Sequence, residues 1–274
     1  MSPDLYFVLT LVVRMAVTAG FLLAATIIAE RAGPLIGGLV ATLPISAGPV
    51  YIFLALDHDA AFIAHGALGS LVTNALNVIF ALVYVLLAQK RSLTISLASA
   101  FAVWIALTYS AGFVRWTLLL AIILNLAALA VSLWLSAPMR HVRAPVVHAR
   151  WYDLVMRAAM VALLVGVVVT LSFRIGPTAS GNLAVFPIVL TSLILILHRR
   201  IGGKPTAAVM ANAVIGLAGF GVAVMVLHLT AVPLGSALAL ALTLLVSMGG
   251  NLIIFLMRRR AAAAAAAAGS GGVP

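Results

Sequence analysis

Apolar runs of about twenty residues, separated by short basic loops, constrain this chain more than any other feature. A helix rises 1.5 Å per residue, so about twenty apolar residues cross a hydrocarbon core roughly 30 Å thick. Nine such runs are predicted, at roughly 5–30, 35–56, 62–88, 93–112, 116–136, 152–173, 178–197, 205–228 and 232–257. Charged residues make up 8% of the 274 and hydrophobic ones 65%, whereas a soluble domain carries about 25% charged residues. The expected fold class is therefore an all-α polytopic membrane protein with the lipid bilayer as its main partner.

The basic residues report orientation. Loops after odd-numbered runs, with the tail, hold Arg31, Lys90, Arg91, Arg140, Arg143, Arg150, Arg199, Arg200, Lys204, Arg258, Arg259 and Arg260. Loops after even-numbered runs hold only Arg115 and Arg174. This bias puts the N-terminus outside and the C-terminus in the cytoplasm of a bacterial inner membrane. It also accounts for the net charge of +11 without nucleic acid. MSPDLYF has no Lys or Arg ahead of its apolar run, so that run reads as a permanent first helix rather than a signal peptide.

One stretch occurs twice. Residues 31–45 read RAGPLIGGLVATLPI and residues 174–188 read RIGPTASGNLAVFPI, sharing R-x-G-P-x3-G-x2-A-x2-P-I at an offset of 143. The match runs back through Arg14 with Arg157, Ala16 with Ala159 and Ala19 with Ala162. Five spans separate the two copies, so the second enters the membrane in the opposite direction. The expectation is an inverted-topology repeat, with spans 1–4 matching spans 6–9 and span 5 as connector. The predicted units are 1–112, the connector and loop 113–150, the second repeat 151–260, and an Ala/Gly tail 261–274 read as a non-functional extension. Such folds bind substrate near the midplane, where helices are interrupted by Gly or Pro.

The substrate-path candidates follow from that geometry. Pro44 and Pro187 each remove a helix hydrogen bond and crowd the carbonyl four residues earlier. Thr42, Ser46 and Asn182 flank those kinks, and Gly181 allows close backbone approach. Gly33-Pro34 and Gly176-Pro177 read first as tight turns between helices. Asn74 and Asn212 fall at corresponding places in spans 3 and 8 and need polar partners, either a substrate path or a neighbouring helix. Asn77, Asn125 and Asn251 read as interhelical ties. Arg14 lies some nine residues into span 1 and is either functional or snorkelling, while Arg157 reads as snorkelling.

Absences narrow the chemistry. Asp4, Glu30, Asp57, Asp59 and Asp153 are the only carboxylates, and they and the six His sit at or near span ends. Proton coupling through a buried carboxylate is disfavoured, which leaves a neutral or anionic small molecule over a cation. No GxSxG, HExxH or phosphate-binding loop occurs, so neither enzyme activity nor a cofactor is expected. Asp57, His58, Asp59 and His65 read as a solvated loop rather than a metal site. With no Cys there is no thiol chemistry.

Gly38-Leu39-Val40-Ala41-Thr42-Leu43-Pro44 and Gly181-Asn182-Leu183-Ala184-Val185-Phe186-Pro187 give each half a resemblance to the GlpM-like family of small bacterial inner-membrane proteins. Their second helix carries a G-L-x-x-x-F-P-type motif. The resemblance covers about 14–110 and 157–257 and implies a fused pair of such units, without naming a substrate. In architecture the chain is also similar to carriers of the bile-acid-symporter type. The function expected is a transporter or lipid-handling permease. The alternative is an accessory membrane protein of an envelope-biosynthesis complex.

Overall fold

A computed structural model describes residues 3–31, 47–140, 142, 145 and 150–270. Among them there are nine α-helices and no strand. The helices are α1 (Pro3–Arg31), α2 (Ala47–Asp57), α3 (Ala60–Leu87), α4 (Leu93–Ala111), α5 (Leu118–Leu135), α6 (Trp151–Ala184), α7 (Ile188–Ile201), α8 (Gly203–Leu234) and α9 (Ser236–Ser270). A 3-10 turn, Ala137–Met139, follows α5. Asp59, Ser92 and Thr117 start three helices by accepting from the backbone N–H three residues on, at 2.8, 3.4 and 3.3 Å. Each thereby satisfies an N–H that has no partner within the helix.

Among the described residues, six helical stretches are long and apolar enough to cross a membrane, including a 51-residue stretch, Trp151–Ile201. Two shorter apolar helices are Ala47–Asp57 and Ser236–Gly250. The nine spans expected exceed this count. The long stretch folds back on itself, and residues 32–46, which carry most of span 2, lie outside the described residues.

The fold-back occurs at Gly176, whose φ of 76° favours a residue without a Cβ. Contacts at both ends fix the directions. Ser172 Oγ meets His58 Nε2 at 2.8 Å, just ahead of α3. Pro177, after the turn, lies against Gly66 of α3. The returning arm then follows α3 in parallel until Tyr84 meets His198 at 2.7 Å. There Arg200 donates to Asp153 at 2.6 Å, which closes the base of the hairpin. The expected turn at Gly176-Pro177 is therefore present.

Helix α3 is apolar on all sides and buried along most of its length, as a central helix must be. It packs on α4, α5, α6 and α8, while α1 packs on α6. Helix α8 runs antiparallel to α3, since Ala64 lies opposite His228 and Asn74 opposite Leu217. Thus α1 meets α6, and α3 meets α8, the helices that the expected repeat would match to each other. Helix α8 ends at Leu234 rather than near 228, because the chain turns at Gly235, with φ 79°.

The ends of the bundle differ in charge. Lys90, Arg91, Arg140, Arg150, Arg199, Arg200 and Lys204 all lie at the end where α3, α5 and α7 finish and α6 and α8 begin.

Candidate functional site

Pro187 interrupts the returning arm. The helix stops at Ala184 and restarts at Ile188. Within the break, Leu183 O accepts from Phe186 N at 3.0 Å, a tighter turn than an α-helix makes. Pro187 O, at the new helix start, takes both Thr191 N at 2.9 Å and Thr191 Oγ1 at 2.6 Å. The Val185 carbonyl is left over, and Asn77 Nδ2 of α3 donates to it at 2.7 Å. Asn77 Oδ1 in turn accepts from Trp104 Nε1 at 2.9 Å. One carboxamide thus joins α3, α4 and the broken helix, and Asn77 is an interhelical tie as its sequence context suggested.

Gly181 and Asn182 sit where the first half of this arm crosses α3. A Cβ at Gly181 would overlap the Gly66 carbonyl, and one at Gly69 would stand 2.6 Å from Thr178 O. Small residues on both helices permit this approach. Ser70 Oγ donates to Gly181 O at 2.6 Å and is itself 2.6 Å from the buried Tyr51 hydroxyl. With its nitrogen facing α3, the Asn182 amide donates to Gly69 O at 2.9 Å, Thr73 Oγ1 at 3.1 Å and Thr178 O at 3.2 Å. Both residues are engaged between helices.

The remaining candidates do not converge on one point. Asn74 is fully buried, and its Nδ2 donates to Asn125 Oδ1 at 2.9 Å and Leu217 O at 3.0 Å. Asn125 donates to Leu71 O and Ala121 O, both at 2.8 Å. Asn74 Oδ1 has no donor among the described residues. Asn212, expected to correspond to Asn74, lies instead near the basic end, where it donates to Ala208 O at 2.9 Å and Arg140 O at 3.4 Å. Arg14 makes a two-pronged ion pair with Asp57, 2.7 Å at Nη2, and stacks over Phe53 at 5.5 Å. Arg157 is half-buried, one turn beyond Asp153. Thr42, Pro44 and Ser46, and the Asn251 side chain, lie outside the described residues.

The Asp57–His65 cluster is divided among separate partners. Asp57 binds Arg14, Asp59 caps α3, His65 pairs with Ala61 O at 2.8 Å, and His58 stacks on Phe62 at 3.7 Å. Burial pushes the His58 imidazole below its usual range, against the opposing pull of Asp57 and Asp59.

Beside the Arg14–Asp57 pair lies an apolar cavity of about 400 Å³, enclosed by α1, α2, α8 and α9. No family model, curated protein or solved structure matches this chain. The site is therefore read from its own geometry.

The sequence carried signals for some of what it left unassigned. Asp57 and Arg200 stand 143 residues apart, the offset of the repeat, and reading charge in repeat-matched pairs would have singled them out. Asn77 lies one turn from Thr73 and Asn74, a polar run inside a buried helix. The cavity has no such signature, because its walls are ordinary apolar residues.

Proposed function

We propose that this chain is a multi-pass permease of the bacterial inner membrane for a small neutral or anionic molecule, with its path at the interface between two inverted repeats. The observation that carries the reading is the helix broken between Ala184 and Ile188 beside α3. Discontinuous helices at a repeat interface are where secondary transporters bind and release substrate. The pairing of α1 with α6 and of α3 with α8 supports a pseudo-two-fold relation. The basic end supports a cytoplasmic C-terminus. Counting the fold-back as two spans, and 35–56 and α9 as one each, gives nine spans, which fits two four-span GlpM-like units joined by a connector helix.

A second reading is supported by the hydrogen bonding of the core asparagines. Asn74 donates to Asn125 and Leu217 O, Asn77 to Val185 O, and Asn125 to Leu71 O and, within its own helix, to Ala121 O. A non-transporting accessory protein of an envelope-biosynthesis complex would need nothing more of them.

Thiol labelling separates the two. The native chain has no Cys, so Thr42→Cys, Ser46→Cys, Asn182→Cys and Asn212→Cys can be labelled one at a time from either membrane face with an impermeant maleimide. Labelling that changes face with conditions supports the permease. Protection from both faces under all conditions rejects it in favour of the accessory role.

A further inference from the structure

We propose that the cavity between α1, α2, α8 and α9 is a binding site for the hydrocarbon chain of an amphiphile that enters sideways from the bilayer. Its volume of about 400 Å³ lies within the range of roughly 300–1,000 Å³ typical of small-molecule sites. Its floor is deeply buried: Val224 and Leu227 of α8 are 2% and 1% exposed. Its mouth is not, because Phe21 of α1 and Ile52 of α2 are 46% and 52% exposed on the flank of the bundle. A mouth framed by apolar side chains on a membrane-spanning bundle opens into lipid rather than water.

The lining offers nothing to a polar ligand. It contains three hydroxyls, each already engaged. Thr18 Oγ1 donates to Arg14 O at 2.8 Å, Thr243 Oγ1 donates to Ala239 O at 2.7 Å, and Tyr51 pairs with Ser70. An ion or sugar in this space would lose its hydration without compensation. A hydrocarbon chain would lose nothing and would fill space that apolar cavities otherwise leave dry. One turn from Thr18 and Phe53, the Arg14–Asp57 pair marks where the chain's polar end meets charge.

The bundle is not obliged to leave this space. By the repeat expected from the sequence, its counterpart is the junction of α3, α4, α6 and α7, and there aromatic rings of α3 and α4 pack on Phe186 of the broken helix. Phe80 packs on Phe101 at 5.0 Å, Phe101 on Phe186 at 5.9 Å and Trp104 on Phe186 at 5.2 Å. One half closes with aromatic rings what the other half leaves open.

The site depends on the chain spanning a bilayer but not on its moving a substrate. It is tested by photo-cross-linking the full chain in proteoliposomes, with peptide mapping by mass spectrometry. Two probes are used, a palmitic acid and a phosphatidylglycerol, each with a mid-chain diazirine. The expected result is adducts on Val224 and Leu227, falling at least tenfold in Leu240→Trp, while adducts on lipid-facing Val13 stay constant. Leu244→Trp, on the same wall, serves if the first variant does not fold. Adducts from the fatty acid alone identify a free amphiphile, and adducts from the phospholipid identify a bilayer lipid; either supports the site. Adducts confined to lipid-facing residues, or buried adducts indifferent to both Trp variants, overturn it. Because cross-linking reads occupancy alone, its failure leaves the permease reading standing, and uniform protection in thiol labelling leaves this site standing.

Discussion

Asp57 and Arg200 are separated by the 143-residue offset of the sequence repeat, and each is bound to the first helix of its own half, with the charges exchanged. Asp57 ends α2 and takes Arg14 of α1, while Arg200 near the end of α7 takes Asp153 of α6. In repeat numbering, the two first-helix partners differ by one turn, since 153 less 143 is 10 and the other partner is 14. The same mechanical tie has been built twice from opposite charges, near opposite ends of the bundle.

These pairs are 15–18% exposed on three of their four side chains and 7% on Asp153. Breaking a fully buried pair costs about 3–5 kcal/mol, so partial exposure and solvent screening bring the loss expected at Arg14–Asp57 to roughly 1–3 kcal/mol. Asp57→Asn and Arg14→Gln should each lower the thermal midpoint of the detergent-solubilised protein. A double-mutant cycle should return a coupling well above zero. Additive losses would mean that the two side chains do not support each other.

Gly181 and Gly216 should respond oppositely to Ala. A Cβ at Gly181 meets the Gly66 backbone, which cannot yield without separating α3 from the returning arm. Nothing lies within 4 Å of a Cβ at Gly216, inside α8. Gly181→Ala is expected to cost about 1–3 kcal/mol through overpacking. Gly216→Ala should gain up to about 1 kcal/mol of helix propensity. Thermal unfolding of the two variants side by side checks both signs.

Asn77→Leu should be among the most damaging single changes in the core. It leaves the Val185 carbonyl and the Trp104 indole N–H without partners, each worth about 1–3 kcal/mol when buried and unpaired. Asn74→Leu should cost less, because Asn125 keeps its bonds to Leu71 O and Ala121 O. The ranking, measured by thermal unfolding, tests whether the break at Pro187 depends on α3.

His58 makes stability depend on pH in one direction. Its imidazole titrates lower in the folded chain than the free value of about 6.5, so the folded state binds fewer protons. The contribution is fully present above pH about 6.5, declines as pH falls toward the folded value, and then levels off. Thermal midpoints between pH 8 and pH 5 should fall on acidification, and His58→Gln should flatten part of that slope. A midpoint that rose on acidification would contradict the assignment.

The helical character, with stretches long and apolar enough to cross a membrane, was legible because an apolar run of bilayer length allows few other outcomes, and Gly176-Pro177 was legible as a turn because Gly can end one helix in the left-handed region and Pro fits the first turn of the next. The partners were not. Which way an amide points depends on the rotation of each helix about its axis, and the even apolarity of α3 leaves that undetermined. Asn74 therefore pairs with Asn125 of the connector, while Asn212 falls beside Arg140 at the bundle's end. Arg14 looked unpaired because its partner Asp57 is 43 residues away in the sequence.

The turn at Gly176 bears on how the chain enters the membrane. It joins two apolar arms with almost no hydrophilic loop between them, and its first returning segment, Pro177 to Ala184, is too short to cross alone. Among the described residues, the Val185 carbonyl that ends this segment is met by Asn77 of α3, and an unsatisfied carbonyl in hydrocarbon costs several kcal/mol. Helix α3 precedes the hairpin in synthesis by about ninety residues, so the acceptor surface is already in the bilayer when the hairpin arrives. The two arms are expected to go in as one unit against it, so that Asn77→Leu should impair the insertion of a segment made later.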